Sequence, residues 1–88
     1  MEQTKLSLKG MSYTTMTLLS KVAQMYGYVL ENKSYRILGQ KIGMSHDNVK
    51  YHFHKLERCG YLKIERHGNK AMSVYLDKDK VNQLLQWL

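Results

Sequence analysis

The sequence has no proline, one cysteine, one phenylalanine and one tryptophan, and half as many acidic as basic residues. Each shortage excludes something. A lone Cys59 cannot form an intrachain disulfide, which fits a reducing compartment. No apolar run approaches the roughly 20 residues that span a bilayer. The opening MEQTKLSLKG lacks the apolar centre of a secretory leader, so the expectation is a cytoplasmic chain with no membrane partner. No low-complexity tract, internal repeat or Gly/Ser-rich linker divides the 88 residues, which predicts a single small unit with a limited core. Catalytic and metal chemistry are missing too. The acids are scattered, there is no Gly-rich phosphate loop, and neither HxxxH nor CxxC spacing occurs. His52 and His54 are two apart, which sets them about 200° apart around a helix, too far to share an ion. His54 and Cys59, five apart, chelate poorly as well. Cys59 falls at a helix C-terminus, where the backbone dipole disfavours a thiolate. The chain is read as a non-enzyme with no catalytic residue, no cofactor and no metal site.

What the chain has in excess is positive charge, +7 overall. Residues 1–33 contribute +2 and residues 71–88 contribute nothing net, whereas residues 34–70 hold eight cations against three acids, a net +5. A general solubilising surface would spread that charge. Its concentration in one segment is the footprint of a polyanion partner.

That same segment carries the clearest structural signal. Leu38 and Ile42 form one short apolar stripe at helical spacing, and Val49, Phe53 and Leu56 form a second with His52 beside it. Between them stands GMS, a glycine suited to ending a helix followed by a serine suited to capping the next. So short a break is a turn between two steeply crossing helices. Upstream, Ser12 or Thr14 caps a first helix with Met16, Leu19, Val22, Ala23 and Tyr26 on one face, and ENKS reads as a turn ending in the cap Ser34. Downstream, YLKIER and AMSVYL alternate around the turn cluster HGNK, a β-hairpin. Asp77 caps a last helix with Val81, Leu84, Leu85 and Leu88 in a stripe and Trp87 off it. Residues 1–11 are read as a loose arm in which Leu6 and Leu8 alternate, 12–76 as the domain, and 77–88 as a C-terminal helix packing on the domain or on a second copy.

Three helices followed by a basic hairpin resemble the winged helix-turn-helix, and VKYHFHKLERCGYLKIER is similar to the recognition-helix-to-wing segment of small ArsR/MarR-like bacterial and phage regulators. The resemblance rests on Val49, His52-Phe53, Leu56 and Gly60 and covers roughly residues 14–76. It departs at Gly39, where these families usually hold alanine. The Z-DNA-binding variant is set aside, since its wing resembles a proline-rich loop followed by tryptophan. The expected fold is α+β, mostly α: three helices, a two-stranded wing and a C-terminal helix. The resemblance implies a prokaryotic or viral, nucleoid-associated transcriptional regulator that binds double-stranded DNA. Plasmid or phage replication and partition proteins share the fold, and so do winged-helix modules that dock on proteins. An RNA partner is disfavoured, because Tyr51, Tyr61 and Tyr75 form no evident stacking platform.

Within this frame the second helix of the motif, residues 45–59, enters the major groove. With Val49, Phe53 and Leu56 inward, Ser45, His46, Asp47, Asn48, Lys50, Tyr51, His54 and Lys55 point outward. Asn48 suits adenine, and Lys50 suits guanine or a phosphate. Tyr51 and His54 suit a phosphate or a thymine methyl. Asp47 can accept from cytosine but also sits favourably in a first helical turn, so it is left out of the candidate set. In the wing, residues 66–70, Arg66 and Lys70 are placed on the backbone or in the minor groove. Two-fold sites call for a homodimer, and the C-terminal helix is its expected seat.

Overall fold

The computed structural model describes residues 12–68 and 71–87, the last without its side chain. The elements run α1 (Tyr13–Tyr26), β1 (Val29–Lys33), α2 (Tyr35–Ile42), α3 (His46–Arg58), β2 (Leu62–Arg66), β3 (Met72–Leu76) and α4 (Lys78–Trp87). The expected arm 1–11, Lys70 and Leu88 lie outside the described residues, as does the side chain of Trp87.

Capping defines the helices. Ser12, Ser34 and Ser45 each accept, through the side chain, the amide N–H three residues on, so each serine satisfies an otherwise orphaned helical donor. Asp77 does the same for Lys80 at the start of α4. Helix α2 stops at Gly43, whose φ of 89° is left-handed and natural only to glycine.

The turn between α2 and α3 also explains Gly39. A Cβ built there would overlap the backbone carbonyl oxygen of Met44 and press on the amide of His46. The amides of Gly43 and Met44 both donate to the Gly39 carbonyl, at 2.7 and 2.9 Å, folding the turn tightly over this residue. Glycine loses about 1 kcal/mol of helix propensity against alanine. It is kept because the two helices cross here with no room for a methyl group.

One expectation fails. ENKS is not a turn: Val29–Lys33 forms a strand that pairs antiparallel with β3, so the sheet has three strands in the order β1-β3-β2. Only Leu30 of this strand is buried, and its pairing is irregular between Leu30 and Lys33, where Asn32 takes φ 50°. The hairpin stands as read, with Leu62 opposite Leu76 and Arg66 opposite Met72.

The core joins all of these elements. Leu18, Leu19 and Val22 of α1 meet Leu30, Leu38, Val49, Phe53, Leu56, Ile64, Val74, Val81 and Leu84. Among its described residues the α4 stripe is thus largely absorbed by the chain's own core, since Val81 and Leu84 are buried and Leu85 is partly open. Among the described residues no helix is long and apolar enough to cross a membrane. The order of elements and the sheet closing behind α3 make this a winged helix-turn-helix.

Candidate nucleic-acid interface

The interface is built on α3. Val49, His52, Phe53 and Leu56 anchor it, and the remaining turns stand clear of the core. His52 does more than fill space. Its Nδ1 shares a buried 2.8 Å hydrogen bond with Thr15 Oγ1, which in turn lies 2.9 Å from Ser12 Oγ. The cap of α1 is thereby tied to the middle of α3. Burial holds the His52 pKa below its ordinary value, and the Lys55 ammonium pushes the same way. His52 therefore works as a neutral structural link.

The candidates divide by what already holds them. Ser45 is the cap of α3, its oxygen engaged by the Asn48 amide at 3.2 Å. His46 is exposed and lies 3.3 Å from the Asp47 carboxylate. Asn48 and Lys50 are exposed, and among the described residues nothing engages their side chains. Tyr51 is 57% exposed, large for an aromatic. Its ring meets His52 edge-on, and the Lys55 ammonium sits 5.4 Å from its centroid, within cation–π range. Lys55 Nζ also reaches the Tyr51 hydroxyl at 3.5 Å. Tyr51 and Lys55 thus form one preassembled aromatic–cation unit.

On the wing side of α3 the picture changes. His54 is half-buried between the Tyr35 ring and Arg66, whose guanidinium donates to His54 Nε2 at 3.4 Å. Arg66 also lies 3.5 Å from Glu57 Oε1. The sequence places it in the wing, yet its side chain reaches back toward α3. Glu57 Oε2 accepts the Ile64 amide at 3.3 Å. Tyr35, at the start of α2, packs edge-on against Phe53 as well as His54, and burial pushes its hydroxyl pKa up. Lys70, the other expected wing contact, lies outside the described residues.

Two residues of this surface escaped the sequence reading. Arg58 is exposed and follows Tyr51 and His54 along one helical stripe, at spacings of seven and four. That spacing was available in the sequence. Glu57 carried no such signal, because its partners lie across the α3–β2 turn. Elsewhere, among the described residues, no three His, Cys, Asp or Glu side chains gather as a metal ion would require.

Comparison with known proteins bears on the fold. No protein-family model matches the sequence, and no curated protein does. Among solved structures the chain is similar to disulfide-formed AbfR, at 17% identity and a TM-score of 0.68, over 94% of this chain and 57% of that one. It is also similar to reduced AbfR bound to DNA, at 19% identity and a TM-score of 0.61, over 90% of this chain and 55% of that one. The chain therefore spans just over half the length of the AbfR chains it matches. At these identities the likeness is one of fold, and the fold that both share is the winged helix-turn-helix.

Proposed function

We propose that this chain is a sequence-specific double-stranded DNA-binding protein that serves as a transcriptional regulator. The observation that carries the reading is the free face of α3, where Asn48 and Lys50 stand exposed and unengaged on a capped, rigidly anchored helix. A helix of this kind fits the major groove, and its first turns reach base edges. The net +5 of residues 34–70 supplies the attraction to phosphates. The similar fold of AbfR has been solved bound to DNA, which supports the same use of this surface.

In this reading Asn48 and Lys50 contact bases, and the Tyr51–Lys55 unit contacts the adjoining backbone. Arg58, Arg66 and Lys70 extend the cationic track toward and along the wing, and His54 stands in it as the acceptor beside Arg66. His46 flanks the first turn, and Ser45 acts through its cap. Two-fold sites are read by paired copies, and the exposed remainder of α4 is the surface assigned to that pairing.

Selection of duplexes from a random pool tests the function directly. Enrichment of a defined sequence is expected, with mobility shifts that weaken steeply as salt rises. Recovery of an unenriched pool would leave only non-specific charge binding and would sink the reading. Sedimentation at about 30 µM, far above affinities typical of specific duplexes, tests the pairing, and a clean monomer overturns it.

A further inference from the structure

A carboxylate on a surface that faces DNA is an electrostatic liability, and Glu57 sits at the rear of α3 beside the wing. Its two oxygens are separately committed. Oε2 accepts the Ile64 amide at 3.3 Å, and Oε1 lies 3.5 Å from the Arg66 guanidinium. Among the described residues strand β2 is an edge of the sheet, with β3 on one side only, so its alternate amides point away from the ladder with no described strand to receive them. The Ile64 amide is one of these, and a side chain of α3 takes the place of the missing strand. Arg66 is two residues further along the same strand, and His54, one turn before Glu57, adds a second acceptor for it.

We propose that Glu57 is the positioning residue of the wing: it closes the open edge of β2 onto α3 and aims Arg66, so that helix and wing meet DNA as one rigid surface. The inference rests on the DNA-binding reading and adds to it a residue that touches no DNA.

The two possible roles of Glu57 predict opposite signs. If it is merely an acid near phosphates, its removal tightens binding. If it positions the wing, its removal weakens binding even though a repulsive charge has gone. For E57A the expected result is about tenfold weaker binding to the preferred duplex, with a salt dependence lower by about one phosphate equivalent, as for R66A. E57A/R66A should bind no more weakly than R66A alone, because the unaimed arginine is already lost. In the free protein, exchange of the Ile64 amide should be faster in E57A than in the parent. E57Q keeps an acceptor oxygen for that amide and should lie between E57A and the parent. Should E57A fail to fold, E57Q is judged by the same sign.

Equal or tighter binding by E57A overturns the proposal, as does a full additional loss in the R66A background or unchanged exchange at Ile64. A parent that shifts no duplex overturns the DNA-binding reading, and this one with it. A parent that binds while the Glu57 variants bind as well or better overturns this one alone.

Discussion

The front and rear halves of α3 are held in different ways. In the front half, Asn48 and Lys50 project from the helix with nothing engaging their side chains among the described residues. In the rear half, His54 and Glu57 are bound into the wing through Arg66 and the Ile64 amide. Sequence pattern places Asn48, Lys50 and His54 on one exposed face and gives no role to Glu57. The structure separates side chains free to meet a partner from side chains already used to aim one.

The largest effect should come from removing what supports both halves. Phe53 is fully buried beneath the middle of α3 and meets Tyr35 edge-on. Phe53→Ala should destabilise the domain by about 3–5 kcal/mol, read by thermal or denaturant unfolding. A loss below about 1 kcal/mol would mean that α3 is anchored elsewhere. Gly39→Ala acts on the turn that aims the front half. The methyl group gains about 1 kcal/mol of helix propensity but collides with the Met44 carbonyl, so a net loss of about 1–3 kcal/mol is expected. A raised melting temperature would contradict the close crossing.

Asn48→Ala and Lys50→Ala sharpen the contrast between the halves. Each should leave stability unchanged and cost about 1–3 kcal/mol on the preferred duplex, with much less on random DNA. Variants that fold and discriminate between duplexes as the parent does would show that this half is not the reader. Changing Arg66 to alanine should act differently, weakening all duplexes alike and lowering the salt dependence by about one phosphate equivalent. Loss of sequence preference in that variant would place base reading in the wing.

The smallest effect is a pH dependence. Burial keeps the folded His52 pKa below its unfolded value of about 6.5, so the unfolded chain takes up the proton first. Stability is therefore fully present above about pH 6.5 and declines as pH falls toward the folded pKa. Melting temperatures between pH 7.5 and 5 should drop less in His52→Gln than in the parent. Equal slopes would assign the effect to other groups.

Helices, caps and hairpin were legible because each leaves a local mark. The spacing of Val49, Phe53 and Leu56 reports one buried face, and serines at 12, 34 and 45 precede their helices as caps must. Strand β1 was not legible. It buries only Leu30, so no alternation shows, and its irregular Glu-Asn-Lys stretch has the composition of a turn. The candidate surface was legible as a face but not as a set of commitments. That Arg66 turns back to Glu57, and that His52 is joined to Thr15 across 37 positions, depends on contacts no local pattern encodes.

Strand β1 gives the wing a mechanical character. It clamps β3 from the side opposite β2, and both neighbours reach as far as Met72, through Lys33 and Arg66. Beyond that clamp, the described residues of the turn are His67, Gly68 and Ala71. Within it the His67 amide donates to the Ala71 carbonyl, the Ala71 amide donates to Gly68, and the His67 ring holds Ser73 at 2.8 Å. A wing base braced in this way deflects little under load. In the proposed DNA-binding reading, a duplex that meets such a wing base adjusts to it by its own bending, so the stiffness of the DNA sequence would enter the selection of a site even where no side chain touches a base.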